Sequence, residues 1–165
     1  MKKSLITPVV FSLLLAACGE TKQAELPDAG AKVETEGYDS ALAARCGADE
    51  HGMRKYVMAF LVRGDSTITD SVKKAELMSG HLKNIGRMAD EGKLAVAGPF
   101  LDDQPIRGIY IFNVETVEEA KALTETDPAI KAGTLKMELH PWYGSAALFE
   151  VNRLHNKMTK ESLTH

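Results

Sequence analysis

Two side chains have the types and the setting that general acid–base chemistry needs: His81 and Asp127. A neutral imidazole takes a proton at one ring nitrogen, and a carboxylate at the other fixes its tautomer and raises its basicity. His81 is three residues after Met78 and four before Ile85. On a helix that spacing sets it on or beside the apolar stripe, facing inward rather than toward water. Asp127 precedes Pro128, where helical geometry is disfavoured and a loop can turn inward. The residues alone leave plainer alternatives open. A lone histidine on a helix is more often a satisfied core or boundary side chain, and an aspartate before proline is more often a cap.

The elements that must position this pair are legible in the pattern. Residues 56–62 are a dense apolar run of strand length. Arg63-Gly64-Asp65-Ser66 is turn chemistry, and Asp70 or Ser71 caps the next helix. Val72, Ala75, Met78, Leu82, Ile85 and Met88 recur at spacings of three and four, which predicts an inward stripe ending at Gly92. Residues 93–97 are a second strand, and Gly98-Pro99 opens a tight turn and a loop to Pro105. Residues 108–114 are a third strand. Thr116-Val117-Glu118-Glu119 is a capping box, and its helix breaks before Asp127-Pro128. Asp127 caps a short turn through Ala132, and residues 134–140 alternate as a fourth strand closed by Pro141.

The order βαββαβ predicts an α+β, ferredoxin-like fold: a four-stranded antiparallel sheet with its helices on one face. The other face needs a cover, and a second copy of the chain is the simplest one. Beyond Trp142, the residues Ala146, Leu148, Phe149, Val151 and Leu154 suggest a C-terminal helix that covers an edge or reaches a partner.

The N-terminal region reads differently. Lys2 and Lys3 precede a short apolar run over residues 5–15, which suits a secretory signal and is too short to span a bilayer. Leu15-Ala16-Ala17-Cys18 resembles the bacterial lipobox, in which the cysteine is lipidated and becomes the mature N-terminus. An ordinary signal peptide with a chance cysteine is the alternative. Gly19 after the cysteine resembles lipoproteins sorted to the Gram-negative outer membrane, which implies an envelope protein facing the periplasm. Each buried lipid CH₂ contributes about 0.8 kcal/mol, so two or three chains anchor a small domain firmly.

From Gly19 to Gly52 there are eight acidic and three basic residues, a net of −5, with no apolar periodicity. This reads as a flexible tether, with a short helix around residues 40–45. From Met53 onward acids and bases balance at fifteen each, so no nucleic-acid footprint is present. The expected organisation is a signal segment over 1–17, an acidic tether over 18–52, one domain over 53–142 and an extension over 143–165. With Cys18 lipidated, Cys46 is left as a free thiol or an inter-chain bridge ahead of the folded domain. No Cys/His cluster suggests a metal, and no phosphate loop suggests a cofactor.

Several stretches together resemble the YCII-related (YciI-like) family. They are HLKNIGRMADEGKLAVAGPF at 81–100, Glu118-Glu119-Ala120, Asp127-Pro128-Ala129 with Ala132-Gly133, and Leu139-His140-Pro141-Trp142. The resemblance covers residue 55 to about Trp142. It implies a homodimeric α/β barrel with a ferredoxin-like protomer. It further implies an active-site pair of His81 and Asp127, with Gly98, Pro99 and Phe100 as a wall of the ligand pocket. Ala129 departs from the Tyr or Phe often found there, which widens or weakens the pocket. A relative in the family dehydrochlorinates a hydroxylated aromatic, and other dimeric α/β barrels act on aromatic or lactone rings. The implied activity is proton transfer on a small organic molecule, an isomerisation or elimination without a cofactor. The competing reading is a non-catalytic module that binds a small molecule or a partner at the envelope. A third is a structural dimer with a buried polar pair. Arg107 is a candidate contact for an anionic substrate or a solvated strand-end arginine. Trp142 and Tyr143 line a pocket or pack the dimer edge.

Overall fold

The computed structural model describes residues 37–161; Cys18, the signal segment and the first half of the expected tether lie outside them. Strand β1 (Met53–Arg63) occupies an inner position, antiparallel to both neighbours. Helix α2 (Ser71–Asp90) leads to β2 (Leu94–Pro99) and then β3 (Ile106–Phe112). Helices α3 (Val117–Thr124) and α4 (Pro128–Lys131) lead to β4 (Leu135–Ser145). The sheet order is β2-β3-β1-β4, with every pairing antiparallel. This is the expected α+β, ferredoxin-like arrangement.

Alternation in β1 decides where the core lies. Val57, Ala59 and Leu61 point to the helix side, where they pack with Leu94, Tyr110, Phe112, Met88 and Ala120. Asp70 caps α2 through the backbone N–H groups of Val72 and Lys73, and the Thr116–Glu119 capping box opens α3.

Three details differ from expectation. The inward stripe of α2 does not begin at Val72: Val72 is 67% exposed and Met78 is 53% exposed. The buried side chains of α2 start at His81. A 20-residue helix is about 30 Å long, whereas six-residue β2 spans about 20 Å. The helix is therefore longer than the strand that follows it. Second, Gly98-Pro99 does not turn. Both residues belong to β2, opposite Ile109 and Gly108. The backbones close tightly there, since a Cβ on Gly108 would lie 2.5 Å from the Gly98 oxygen. Third, β4 continues through Pro141 to Ser145, opposite β1 along its whole length. An edge strand tolerates proline because one side of its backbone makes no ladder bonds.

The second face of the sheet carries its own small core. Tyr56, Ala95 and Ile111 are buried there, with Met58, Val96, Trp142 and Leu148 packed against them. A bulge between Leu94 and Val96 adds Ala95 to that side. Part of the cover comes from the C-terminal extension, a 3-10 turn (Ala146–Glu150) followed by α5 (Val151–Met158). Met58, Phe60, Val62 and Ile109 stay half-buried.

The extension also meets the residues ahead of β1. Helix α1 (Ser40–Cys46) is capped by Asp39 and ended by Gly47 in the left-handed region at φ 63°. Cys46, expected ahead of the folded domain, is 3% exposed and faces Glu150. The Glu150 carboxylate pairs with Arg153 and, at 3.1 Å, with Arg45. Arg153 first and Arg45 second hold its carboxyl below the usual range. Arg54 donates to the Cys46 carbonyl at 2.8 Å and lies over the Tyr56 and Phe149 rings at 5.3 and 5.7 Å. The Tyr56 hydroxyl donates to the Ser145 carbonyl at 3.1 Å.

Candidate functional site

Asp127 is fixed before its side chain does anything. Its N–H donates to the Thr124 carbonyl at 3.1 Å, and Pro128 takes the first position of α4, where a missing N–H costs nothing. One carboxylate oxygen, Oδ1, accepts the Ala129 N–H at 2.8 Å. The other, Oδ2, lies 2.7 Å from His81 Nδ1. His81 reaches it because α2 approaches α4 closely. The preceding residue is Gly80, where a Cβ would lie 2.8 Å from the Pro128 ring. The sequence-predicted pair is thus in direct contact, across 46 residues of chain.

Both members are shielded, with Asp127 fully buried and His81 7% exposed. Burial by itself pushes the Asp127 carboxyl up. The His81 hydrogen bond and charge, with the backbone N–H groups of Ala129 and Ile130, outweigh it and hold the group below its ordinary range. Asp127 is therefore ionised at neutral pH and only accepts. The proton of a neutral His81 sits on Nδ1, and Nε2 carries the lone pair. The arrangement equips Nε2 to accept a proton and Asp127 to stabilise the resulting cation.

A third side chain meets the pair. The Tyr110 hydroxyl is 3.4 Å from His81 Nε2, and the two rings stack with centroids 6.4 Å apart. Burial, and then the Asp127 charge, push the phenol far above its ordinary value, so it stays neutral. Tyr110 was missing from the sequence-based set. The signal for it is a tyrosine in the apolar strand Ile106–Phe112, since a buried phenol must find a partner for its hydroxyl. One turn beyond His81, Asn84 Oδ1 accepts from Arg87 at 2.9 Å and contacts the Thr126 hydroxyl at 2.9 Å. This ties α2 to the residue before Asp127.

The other expected site residues divide. The register sets Ala97 opposite Tyr110 and Pro99 opposite Gly108, so both share the face of the dyad, and both are exposed. Gly98 pairs with Ile109 and points to the other face. Phe100 is exposed and donates its N–H to the Arg107 carbonyl at 2.9 Å. Among the described residues no hydrogen bond joins Gly98, Pro99 or Phe100 to His81 or Asp127. Arg107 is engaged by Asp103 at 2.7 Å and by the carbonyls of Gln104 and Asp102, so it shapes the β2–β3 loop. Trp142 packs on Tyr56 on the opposite face, and Tyr143 donates to Asp49. Neither is at the dyad.

An open hollow of ≈ 300 Å³ lies elsewhere, lined by residues that include Asp49, Arg54, Lys55, Glu115 and Tyr143. Among the described residues, no three of His, Cys, Asp and Glu gather where they could hold a metal ion.

Comparison with known proteins agrees with this geometry in its extent. The chain is 28% identical over 67 residues to the uncharacterized protein YjpA of Bacillus subtilis (strain 168), covering 41% of this chain and 76% of that one. Residues 56–143 match the model of the YCII-related domain, a stretch that runs from β1 to β4 and includes His81, Tyr110 and Asp127. The chain belongs to the YCII-related domain family.

Proposed function

We propose that His81 performs general acid–base chemistry on a small organic molecule, an isomerisation or an elimination. The observation that carries this reading is the 2.7 Å contact between His81 Nδ1 and a fully buried, ionised carboxylate. In the proposed step Nε2 removes a proton from a carbon acidified by a neighbouring group. Asp127 stabilises the imidazolium. The proton then returns to a second carbon in an isomerisation, or the electron pair expels a leaving group in an elimination. The exposed Ala97 and Pro99 beside Tyr110 favour a flat, largely apolar substrate such as an aromatic ring.

The test is a screen of small carbonyl compounds and hydroxylated aromatics with wild type and His81→Asn. Product formation that disappears in a natively folded His81→Asn chain supports the reading. Turnover retained in that variant overturns it.

A non-catalytic binding module is the second reading, favoured by the burial of His81. A compound that stabilises the protein without being converted supports that alternative. The setting we propose is the cell envelope, with the domain held on a lipidated Cys18 and facing the periplasm. Its support is the Leu15-Ala16-Ala17-Cys18 sequence. We also propose a homodimer, supported by the half-buried Met58, Phe60, Val62 and Ile109 on the partly covered sheet face. Sedimentation of a soluble Cys18→Ser chain as a monomer at micromolar concentration would rule the dimer out.

A further inference from the structure

We propose that Tyr110 is a positioning residue for His81: its hydroxyl holds Nε2 as a proton acceptor while the site is empty and yields that position to the substrate. This rests on the acid–base reading of the dyad. The inference comes from the geometry of one imidazole with both nitrogens addressed. Asp127 Oδ2 takes the Nδ1 side at 2.7 Å, and Tyr110 Oη takes the Nε2 side at 3.4 Å. The carboxylate can only accept, so the Nδ1 proton points to it. The hydroxyl is then the partner that donates to the Nε2 lone pair.

Three observations separate this role from simple packing. First, the two contacts differ in length. At 2.7 Å the Asp127 contact is that of a charge-assisted bond, whereas 3.4 Å is beyond the usual range. The partner of Nε2 is therefore the one an incoming group can replace. Second, Tyr110 is 2% exposed and His81 7% exposed, so the phenol is the more deeply buried of the two; in the proposed role it acts through His81 rather than on the substrate. Third, the phenol is itself braced. Its ring meets Phe112 edge-on at 5.6 Å, and His81 is the hydrogen-bond partner recorded for its hydroxyl among the described residues.

A hydroxyl suits this place because it works in both protonation states. It donates to a neutral Nε2, and it accepts from Nε2–H once the ring is charged, by rotating one O–H bond. The groups facing His81 are then Asp127 from the start of α4 and Tyr110 from β3. Arg87 on α2 is held by Glu91 at 2.8 Å and by Asn84.

The experiment reads the ring nitrogens of His81 by two-bond ¹H–¹⁵N correlation on the full chain carrying Cys18→Ser, at a pH where the ring is neutral. The expected wild-type result is a protonated Nδ1 and an unprotonated, hydrogen-bonded Nε2. Tyr110→Phe should move the Nε2 resonance toward that of a free lone pair and leave Nδ1 in place. An unmoved Nε2 overturns the proposal. A second measurement covers a Tyr110→Phe chain that does not fold. The Tyr110 hydroxyl proton should exchange with water at least roughly five times faster in His81→Asn than in wild type, as loss of one hydrogen bond implies. Equal exchange overturns the proposal as well. Once a substrate is known, Tyr110→Phe should lower KM up to about fivefold with kcat little changed, because the bond that the substrate displaces is absent. The nitrogen shifts do not depend on turnover. If they behave as stated and no compound is converted, the positioning role stands and the acid–base reading falls. If turnover depends on His81 but Nε2 ignores the hydroxyl, the reverse holds.

Discussion

Asp127 divides its carboxylate between two tasks: Oδ1 caps α4 through the Ala129 N–H at 2.8 Å, and Oδ2 holds His81 Nδ1 at 2.7 Å. The same residue therefore starts a helix and orients an imidazole. The cap fixes the carboxylate plane, and the plane fixes the direction from which His81 is held. A substitution at Asp127 therefore disturbs both the start of α4 and the orientation of His81.

Removing the imidazole leaves a fully buried carboxylate without its partner. His81→Ala should cost about 3 kcal/mol of stability, the order seen when one member of a buried pair is deleted. His81→Asn keeps a donor near the Nδ1 position and should cost only about 1 kcal/mol. Urea denaturation of the two variants checks this. Equal losses would show that the asparagine amide does not replace the Nδ1 contact.

The acid limb of stability should carry the signature of Asp127. The native fold holds its carboxyl below the ordinary value, so the unfolded chain binds its proton more readily. The stabilisation is present above about pH 4, where the unfolded group is ionised, and is lost as pH falls through the native value. Asp127→Asn should be less stable than wild type at neutral pH, with the two curves converging as pH falls through the lowered native value. A constant gap across that window would contradict the linkage.

Gly80 is a close-approach position. Alanine there gains about 1 kcal/mol of helix propensity. It also places a methyl 2.8 Å from the Pro128 ring, which cannot swing aside as a flexible chain would. Overpacking of this kind costs about 1–3 kcal/mol, so Gly80→Ala should lose about 1 kcal/mol net and loosen the His81–Asp127 contact. A rise in melting temperature would refute the argument.

Much of this was legible in the sequence. The Thr116–Glu119 capping box and Asp70 are local devices, and local devices read out of sequence directly. The His81–Asp127 contact was reachable because spacing set one residue inward and proline broke the chain at the other. What stayed hidden depends on lengths and pairings. The exposure of Val72 and Met78 depends on what the rest of the fold sets beside the first turns of α2, which periodicity does not encode. The continuation of β2 through Gly98-Pro99 and of β4 through Pro141 depends on partners that Ile109, Gly108 and Val57 supply across the sheet. Tyr110 was overlooked because its strand looked uniformly apolar, and the Cys46–Glu150 contact because it joins residues 104 apart in the chain.

Cys46 offers a check on those flanks. In a folded Cys18→Ser chain it should be protected from a water-soluble thiol reagent and become reactive on unfolding, because it is buried against Glu150. Immediate modification under native conditions would place α1 away from the 3-10 turn.

Arg54 should tie both flanks at once. Arg54→Ala removes a bond to the Cys46 carbonyl and contacts over Tyr56 and Phe149, an effect of about 1–2 kcal/mol. Hydrogen exchange should then rise together in α1 and in the Ala146–Glu150 turn. A rise in one segment alone would show that they open independently.

The joining of α1 to that turn also has a mechanical meaning. Met53 and Ser145 are paired, so the strand that opens the sheet and the strand that closes it meet at one end. Tension applied through the N-terminal stretch arrives first at α1 and its Arg45–Glu150 and Arg54–Cys46 contacts. These contacts stand between the pull and β1. Loss of these contacts would free α1 without removing any β1–β3 pair, the pairing that holds the strand carrying Tyr110.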